Sequence, residues 1–505
     1  MTPPSTSVNG SGAPVGNLGT TAARGAAVTL SGQGVRIVVQ VVGVVVLSRL
    51  LSPSDYGLLA MTTAVVGIAD IFRDMGLSSA AVQAKTLSRG QRTNLFWINS
   101  GIGLLLSLVI FVAAPLLALV YARDELVDVT RVLCWTFLLN GLATQHRADL
   151  LRSLRFTRLA AVDVLAPVIG LTAGVLAALQ GAGVFALVAQ QLIQYLVVLV
   201  GVVFAARWLP RSVDRSAPMG GLLRFGWQLV GSQLVGYAGN NVDSLTIGVR
   251  FGAEPLGLYN RAFQLLMTPL NQIRGPVTQV GLPLLSRIQD DRVRLGAALL
   301  RAQVALGLTL VAGLALLAGA AVPITALLLG PTWQPAAPLL SLLAIAGAFQ
   351  TLGLISYWAY LSLGMTGPLL RYSFIQTGVR ITFVLVGSLA GVVGVAAGYA
   401  AAPVLGVALS YWWLGRYVEL PLRSLYAGAG RLTAVAVVGG LVTFAVATWA
   451  ANLPAALTLL ACLPAGALAA LGAAALAPAT RADLQVVVQL VRSLLARSRA
   501  TGPRP

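Results

Sequence analysis

Long apolar runs recur along the whole of this chain, and they restrict its fold more than any other feature. A helix needs about 20 mostly apolar residues to cross the roughly 30 Å of hydrocarbon in a bilayer. The chain has 505 residues, of which 57% are hydrophobic and only 10% are charged. Soluble domains carry roughly 25% charged residues. We therefore predict an all-α, polytopic membrane protein for which lipid is the solvent over most of the surface.

The apolar runs predict about fourteen transmembrane helices. Repetition along the whole chain excludes a soluble domain with a single anchor. The runs at 57–76 and 257–282 carry the most polar residues. The predicted spans are 27–50, 57–76, 96–121, 127–147, 159–179, 183–206, 225–249, 257–282, 297–321, 336–361, 368–388, 391–414, 429–450 and 454–477.

Basic residues between the spans predict the orientation, because cytoplasmic loops of membrane proteins are rich in Lys and Arg. If the N-terminus is cytoplasmic, most basic residues fall on the inside, and few fall in external loops. The net charge of +19 then reflects topology and does not indicate nucleic-acid binding. An even number of spans places both termini in the cytoplasm. The external loops hold Arg49, Arg123, Arg131, Arg250 and Arg261.

An internal repeat divides the chain. Residues 47–60 and 247–260 share a helix-closing Arg, a short turn with Pro and an acid, and Gly-Leu at the next helix, so Gly57 aligns with Gly257. A period of six helices is even, which predicts two parallel six-helix bundles. The predicted parts are a disordered cytoplasmic tail at 1–24, an N-terminal bundle at 25–207, a cytoplasmic linker at 208–224, a C-terminal bundle at 225–416, two additional transmembrane helices at 417–477 and a basic amphipathic cytoplasmic tail at 478–505.

Several predicted spans contain ionisable residues. Each costs about 2.5–3.5 kcal/mol at a helix centre, so we expect most to face a cleft, each other or the interface. Two bundles enclosing a central cleft suit alternating access. These residues are Arg36, Asp70, Arg73, Asp74, Asp163, Asp243, Arg274 and Arg380.

Six short motifs lie at 48–57, 74–81, 93–99, 240–248, 256–262 and 283–290. Together they resemble the Wzx-type polysaccharide flippases of the multidrug/oligosaccharidyl-lipid/polysaccharide exporter superfamily. The chain is most similar to the branch linked to colanic and teichuronic acid export, over about residues 25–420. The resemblance implies a fold like that of the MATE transporters of this superfamily. It also implies flipping of polyprenyl-pyrophosphate-linked oligosaccharide units for exopolysaccharide, capsule or cell-wall polysaccharide export.

The implied cargo suggests roles for the polar residues. A guanidinium forms bidentate bonds to phosphate, and Gln and Asn suit sugar hydroxyls. We therefore predict a cationic cleft whose substrate-binding residues are Arg36, Arg73, Arg274, Arg380, Gln40, Asn240, Asn241 and Asn271. Candidates for ion coupling by H⁺ or Na⁺ are Asp70, Asp74 and Asp243.

Structural roles compete with these assignments. The arginines also suit helix packing or snorkelling to the interface, and Arg73 is placed to pair with Asp70. Asp163 lies near a cytoplasmic helix end, where an interfacial position is expected. The single histidine, His146, stands beside Arg147, and we expect it to be solvated.

No catalytic set or cofactor motif appears in the sequence. There is no P-loop, and the two cysteines, Cys134 and Cys462, have no metal-ligand spacing. The sequence favours a transporter over an enzyme, located in the bacterial cytoplasmic membrane. A lipid II flippase and a MATE-type drug/cation antiporter are the alternatives. Expected partners are the lipid-linked oligosaccharide, membrane lipids, and the polymerase and glycosyltransferases of the same pathway.

Overall fold

The computed structural model describes residues 34–74, 87–153, 155–220, 237, 239 and 241–500. These ranges contain helices and loops and no β-strand. The predicted disordered tail at 1–24 lies outside the described residues.

The helices are numbered here in chain order. They are α1 34–50, α2 Pro53–Asp74, α3 Arg89–Tyr121, α4 Glu125–Leu133, α5 Trp135–Arg152, α6 Phe156–Leu179, α7 Val184–Ala206, α8 241–251, α9 Ala253–Ser286, α10 Arg292–Leu306, α11 Ala312–Gly319, α12 Ala321–Leu328, α13 Ala337–Ser362, α14 Thr366–Gly387, α15 Gly391–Leu414, α16 Leu422–Trp449, α17 Ala455–Leu476 and α18 Pro478–Ala500. A π-helical turn at Gly307–Val311 separates α10 from α11, and a 3₁₀ helix at Pro331–Ala336 precedes α13.

These helices confirm an all-α polytopic membrane protein. Within the described ranges, 9 helical segments are long and apolar enough to cross a membrane. One of them, Thr366–Leu414, has 49 residues and contains both α14 and α15. The predicted span at 127–147 is divided at Cys134 between α4 and α5. The exact number of fourteen spans stays a prediction.

The chain forms two compact units, and both are discontinuous in sequence. The first comprises Met1–Gly43, Ile68–Ala114 and Thr130–Gln233. The second comprises Val44–Gly67, Pro115–Val129 and Leu234–Pro505. These units are defined by compact packing, whereas the predicted bundles are defined by the sequence repeat. The predicted bundle boundaries therefore stay a prediction.

Glycines allow close packing inside the first unit. A Cβ on Gly103 would lie 2.6 Å from the carbonyl oxygen of Phe137, and a Cβ on Gly141 would lie 2.6 Å from that of Asn99. The α3 and α5 backbones are therefore nearly in contact at this point. Such small-residue contacts are the usual way in which membrane helices approach each other.

His146 is buried in the first unit, with only 2% of its surface exposed. Its ring stacks on Trp208 at 4.7 Å between centroids, and Phe96 meets it edge-on at 5.5 Å. The prediction that His146 is solvated is therefore wrong. The segment after α7 folds back and places Trp208 over the imidazole, which the neighbouring Arg147 did not indicate.

The same segment is fixed to the start of α3 through Asp214. Its backbone N–H donates to Asn94 Oδ1 at 2.8 Å, and its carbonyl accepts from Asn94 Nδ2 at 2.6 Å. The hydroxyl and the backbone N–H of Ser216 both donate to the Asp214 carboxylate, and these bonds hold its pKa below the ordinary value.

In the second unit, α2 and α9 cross at a pair of glycines. A Cβ on Gly57 would lie 1.7 Å from the carbonyl oxygen of Ala253, and a Cβ on Gly257 would lie 1.8 Å from that of Pro53. Both positions therefore exclude any residue larger than glycine unless the backbones move apart.

Candidate functional site

Polar side chains gather inside the second unit where α9, α13, α14 and α15 pack together. All four helices interrupt long apolar stretches with Arg, Gln or Tyr. Arg274 of α9, Gln350 of α13 and Tyr399 of α15 form a connected series of hydrogen bonds. Each is buried or half-buried. Such groups are costly inside a membrane and mark functional regions.

Arg274 is the most heavily bonded member of this series. Its Nη2 donates to Thr351 Oγ1 at 2.7 Å and to the carbonyl oxygen of Gly347. Its Nε donates to Thr351 Oγ1 at 3.2 Å, and its Nη1 donates to Gln350 Oε1 at 3.2 Å. All four bonds end on neutral acceptors, so they orient the guanidinium without neutralising it.

The charge of Arg274 has no ion-pair partner among the described residues. The ion pairs found in those ranges involve Arg92, Arg147, Arg294 and Arg431. A guanidinium that is 9% exposed and has only neutral partners favours an anion nearby, because buried charges are costly unless paired. Arginine is well suited to phosphate for this purpose.

Asp243 is a buried carboxyl group in the same unit. It lies on α8 and is 1% exposed. Its Oδ2 accepts a hydrogen bond from the hydroxyl of Tyr259 on α9. Its Oδ1 is buried with no hydrogen-bond partner among the described residues. The carboxyl group therefore has one free acceptor position for a proton or a cation.

Aromatic rings connect the surroundings of Asp243 with those of Arg274. Tyr259 packs on Phe263 at 6.3 Å between centroids, and Phe263 meets Tyr399 edge-on at 6.0 Å. The guanidinium carbon of Arg380 lies 5.6 Å from the Tyr399 ring. Gln350 Nε2 donates to the Tyr399 hydroxyl at 3.4 Å. Tyr399 is thus adjacent to two of the predicted substrate-binding arginines.

A cavity of about 280 Å³ opens between α13, α14 and α15. Tyr360 and Tyr372 stack beside it with centroids 6.3 Å apart. Gln350, Ser373 and Gln376 also line it. Aromatic faces next to hydroxyl and amide groups are a lining suited to a sugar, which has both C–H faces and hydroxyl edges.

The other predicted site residues have different surroundings. Arg36 and Gln40 are exposed on α1 in the first unit, and Asn271 is exposed on α9 in the second. Asn241 donates its Nδ2 to the carbonyl oxygen of Tyr237 at 2.9 Å. The structure groups Arg274 and Arg380 around Tyr399 and adds Asp243 to the same unit. The side chains of Asp70, Arg73 and Asp74, and the whole of Asn240, lie outside the described residues.

Two further ionisable residues are Asp163, which forms an ion pair, and Arg261, which is buried. Asp163 accepts from Arg147 at 2.8 Å in the first unit. Arg261 was predicted to lie in an external loop, and this is wrong, since it is a residue of α9 with 4% exposure.

Arg261 joins α9 to the end of α1 and the start of α2. Its Nε donates to Ser48 Oγ at 2.7 Å, and its Nη2 donates to the carbonyl oxygen of Val44 at 2.9 Å and to the Tyr56 hydroxyl at 2.7 Å. The indole of Trp333 donates to the Ser48 carbonyl at 2.7 Å. The signal in the sequence was the position of Arg261 only four residues after Gly257, inside the predicted eighth span.

Three proteins of polysaccharide biosynthesis are similar to this chain in sequence. The chain is 28% identical to the teichuronic acid biosynthesis protein TuaB of Bacillus subtilis over 433 residues, covering 81% of this chain and 85% of that protein. It is 24% identical to the lipopolysaccharide biosynthesis protein WzxC of Escherichia coli over 404 residues, covering 74% and 81%. It is 27% identical to the succinoglycan biosynthesis transport protein ExoT of Rhizobium meliloti over 310 residues, covering 61% and 63%.

Solved structures show the same fold. The lipid II flippase MurJ in an inward closed conformation matches with a TM-score of 0.66 at 13% identity, over 88% of this chain and 97% of that one. An inward-facing MATE multidrug transporter matches with a TM-score of 0.57 at 16% identity, over 78% and 96%. The family model described as "Polysaccharide biosynthesis protein" matches residues 46–338, which is more than half of the chain. The chain therefore belongs to this polysaccharide biosynthesis family.

Proposed function

We propose that this protein flips polyprenyl-pyrophosphate-linked oligosaccharide units across the bacterial cytoplasmic membrane by alternating access. The observation that carries the proposal is Arg274, a buried guanidinium held by Gln350 and Thr351 with no carboxylate paired to it in the described part of the chain. A pyrophosphate would supply the missing negative charge through charge-assisted hydrogen bonds. We propose a cationic binding site, for which Arg36, Arg73 and Arg380 are further candidates from the sequence.

The cavity beside Tyr360 and Tyr372 supports a carbohydrate headgroup. Its lining combines stacked tyrosines with Gln350, Ser373 and Gln376. A cavity for a hydrophobic cation would be expected to carry acidic or purely apolar groups instead. We therefore place a sugar of the headgroup at this cavity and the pyrophosphate toward Arg274.

Asp243 is our candidate for coupling to an H⁺ or Na⁺ gradient. Coupling needs an intramembrane group that gains or loses charge, and the Asp243 carboxyl group has a free oxygen beside its bond to Tyr259. Asp70 and Asp74 remain further candidates from the sequence.

We place both termini in the cytoplasm, as the distribution of basic loop residues predicts. We assign the protein a transport role and no catalytic step. Its proposed partners are the polymerase and glycosyltransferases that make and extend the repeat unit.

Depletion of the protein in its native cell tests this function directly. Lipid-linked intermediates would be extracted and identified by mass spectrometry, and their leaflet assigned by a membrane-impermeant label. We expect a polyprenyl-pyrophosphate oligosaccharide to accumulate on the inner leaflet. Accumulation of lipid II alone would support the lipid II flippase alternative, which the fold similarity to MurJ makes the second candidate. Unchanged lipids with increased drug sensitivity would support an antiporter.

A further inference from the structure

A second cavity of the second unit, of about 450 Å³, lies between the second half of α10 at 300–304, the first three turns of α16 at 423–431 and the helix α18. It is separate from the site around Arg274, since none of the residues discussed there lines it. Arg301, Arg423, Arg431, Asp483 and Ser424 are among its lining residues.

The charges of this cavity are unbalanced. Arg431 donates from Nε to Asp483 Oδ2 at 3.2 Å and from Nη2 to Oδ1 at 3.4 Å, and this pair attaches α18 to α16. Arg301 and Arg423 have exposed side chains and no ion pair within the described ranges. One carboxylate therefore faces three guanidinium groups, and Ser424 adds a hydroxyl donor.

The position of the cavity relates it to the membrane surface. Both Arg292–Gly319 and Leu422–Trp449 are segments able to cross a membrane. The predicted spans within them begin at 297 and 429, so the predicted topology puts Arg301, Arg423 and Arg431 near the cytoplasmic surface. Val438 lies seven residues after Arg431, on the same helix face, and is 41% exposed. Apolar surface thus continues from the basic cavity along α16 toward the membrane interior.

This arrangement matches a molecule with an anionic head and an apolar tail. We infer that the cavity between α10, α16 and α18 binds the phosphate headgroup of an anionic membrane phospholipid. Basic pockets between membrane helices on the cytoplasmic side recognise such headgroups. Two guanidinium groups without carboxylate partners supply forked donors to the phosphate, while the acyl chains lie along α16.

Native mass spectrometry of the purified full-length chain in neutral detergent tests this site. The probes are cardiolipin, phosphatidylglycerol and, as a neutral comparison, phosphatidylcholine. We expect Arg301→Ala/Arg423→Ala to bind cardiolipin about tenfold more weakly than the wild type. The matched control is Arg292→Ala/Arg294→Ala, which removes the same charge from exposed positions at the start of α10 and should bind within about twofold of the wild type.

Three outcomes would overturn the inference. The first is equal cardiolipin binding by the cavity variant and the wild type. The second is an equal loss of cardiolipin affinity in the cavity variant and the control variant. The third comes from thermal unfolding, if inorganic phosphate stabilises the wild type as strongly as cardiolipin does. The last would assign the cavity to a soluble anion. If the alanine variant is unstable, Arg301→Lys/Arg423→Lys serves instead. It keeps the positive charge but lacks the forked N–H donors of guanidinium, so it should bind cardiolipin more weakly than the wild type and more strongly than a variant without the charges. Binding of cardiolipin by the lysine variant at the wild-type level would contradict recognition by forked guanidinium donors.

Arg89, Arg92 and Arg152 line a cavity in the first unit, so total lipid binding is not diagnostic. The difference between the cavity variant and its matched control isolates the α10–α16–α18 site.

Discussion

Gly57 and Gly257 contact each other's helices reciprocally at the crossing of α2 and α9. The Gly57 position meets the carbonyl oxygen of Ala253, and the Gly257 position meets that of Pro53. The sequence repeat aligns Gly57 with Gly257, and the same offset aligns Pro53 with Ala253. Two segments related by a rotation axis that passes between them produce this reciprocity.

The crossing predicts that either glycine is intolerant of a methyl group. We expect Gly57→Ala and Gly257→Ala each to destabilise the protein by about 1–3 kcal/mol, because the added Cβ overlaps a backbone oxygen. Thermal unfolding followed by fluorescence in detergent measures this effect. Gly275→Ala is the matched control on α9, since nothing lies within 4 Å of its added Cβ. Equal melting of all three variants would mean that the helices separate without cost.

Arg274 should be required for transport and not for folding alone. Arg274→Ala removes a charged donor to the headgroup, worth about 1.5–3 kcal/mol or roughly ten- to a hundredfold in rate. Arg274→Lys should retain part of the activity. Movement of labelled lipid-linked oligosaccharide from the outer to the lumenal leaflet of inverted vesicles gives the rates. Arg287→Ala, an exposed arginine just after α9, should transport normally. Full activity of Arg274→Ala would remove the central support for the proposed site.

Asp243 should be required for the response to an ion gradient. Asp243→Asn keeps an acceptor for the Tyr259 hydroxyl but does not titrate, so transport should proceed without stimulation by a pH or Na⁺ gradient. Proteoliposomes with and without an imposed gradient separate the two quantities. Asp290→Asn, at an exposed carboxylate, is the control and should respond as the wild type does. A normal gradient response in Asp243→Asn would exclude coupling at this carboxyl group.

The segment around Asp214 should loosen in acid. The Ser216 bonds lower the pKa of this carboxyl group in the folded state. Their contribution is therefore present above its unfolded pKa of about 3.9 and is lost as the pH falls through the lower folded value. Hydrogen exchange of residues 208–220, corrected for the intrinsic pH dependence, should rise in that window. Ser216→Ala removes the largest cause of the lowered pKa, so it should raise exchange at neutral pH and flatten the acid-dependent rise. An unchanged profile would contradict the role of Ser216.

The helices could largely be predicted from apolar run lengths, since hydrocarbon thickness imposes the length of each span. Predicted ends at 179, 206 and 414 coincide with those of α6, α7 and α15. The break at Cys134 and the π-helical turn at Gly307–Val311 were not predicted. Neither contains a proline, and such irregularities depend on packing against other helices.

The candidate site was predicted less completely. Arg274 and Asp243 were identified because ionisable residues stand out in apolar runs. Their partners Thr351, Gln350 and Tyr259 lie on other helices and are uncharged, so they do not stand out in the sequence. Only folding brings them next to Arg274 and Asp243. His146 and Arg261 were misplaced for the same reason, since the rings of Trp208 and Tyr56 that cover them are distant in sequence.

The glycine crossing has a consequence for how the sequences of the two segments can diverge. The segments around Gly57 and Gly257 meet each other here, so each segment is part of the other's environment. A residue larger than glycine at position 57 or 257 cannot be accommodated by substitutions within its own segment alone, because it meets the backbone of the other segment. Chimaeras that exchange one half between relatives should therefore assemble only when both partners bring a glycine to this position.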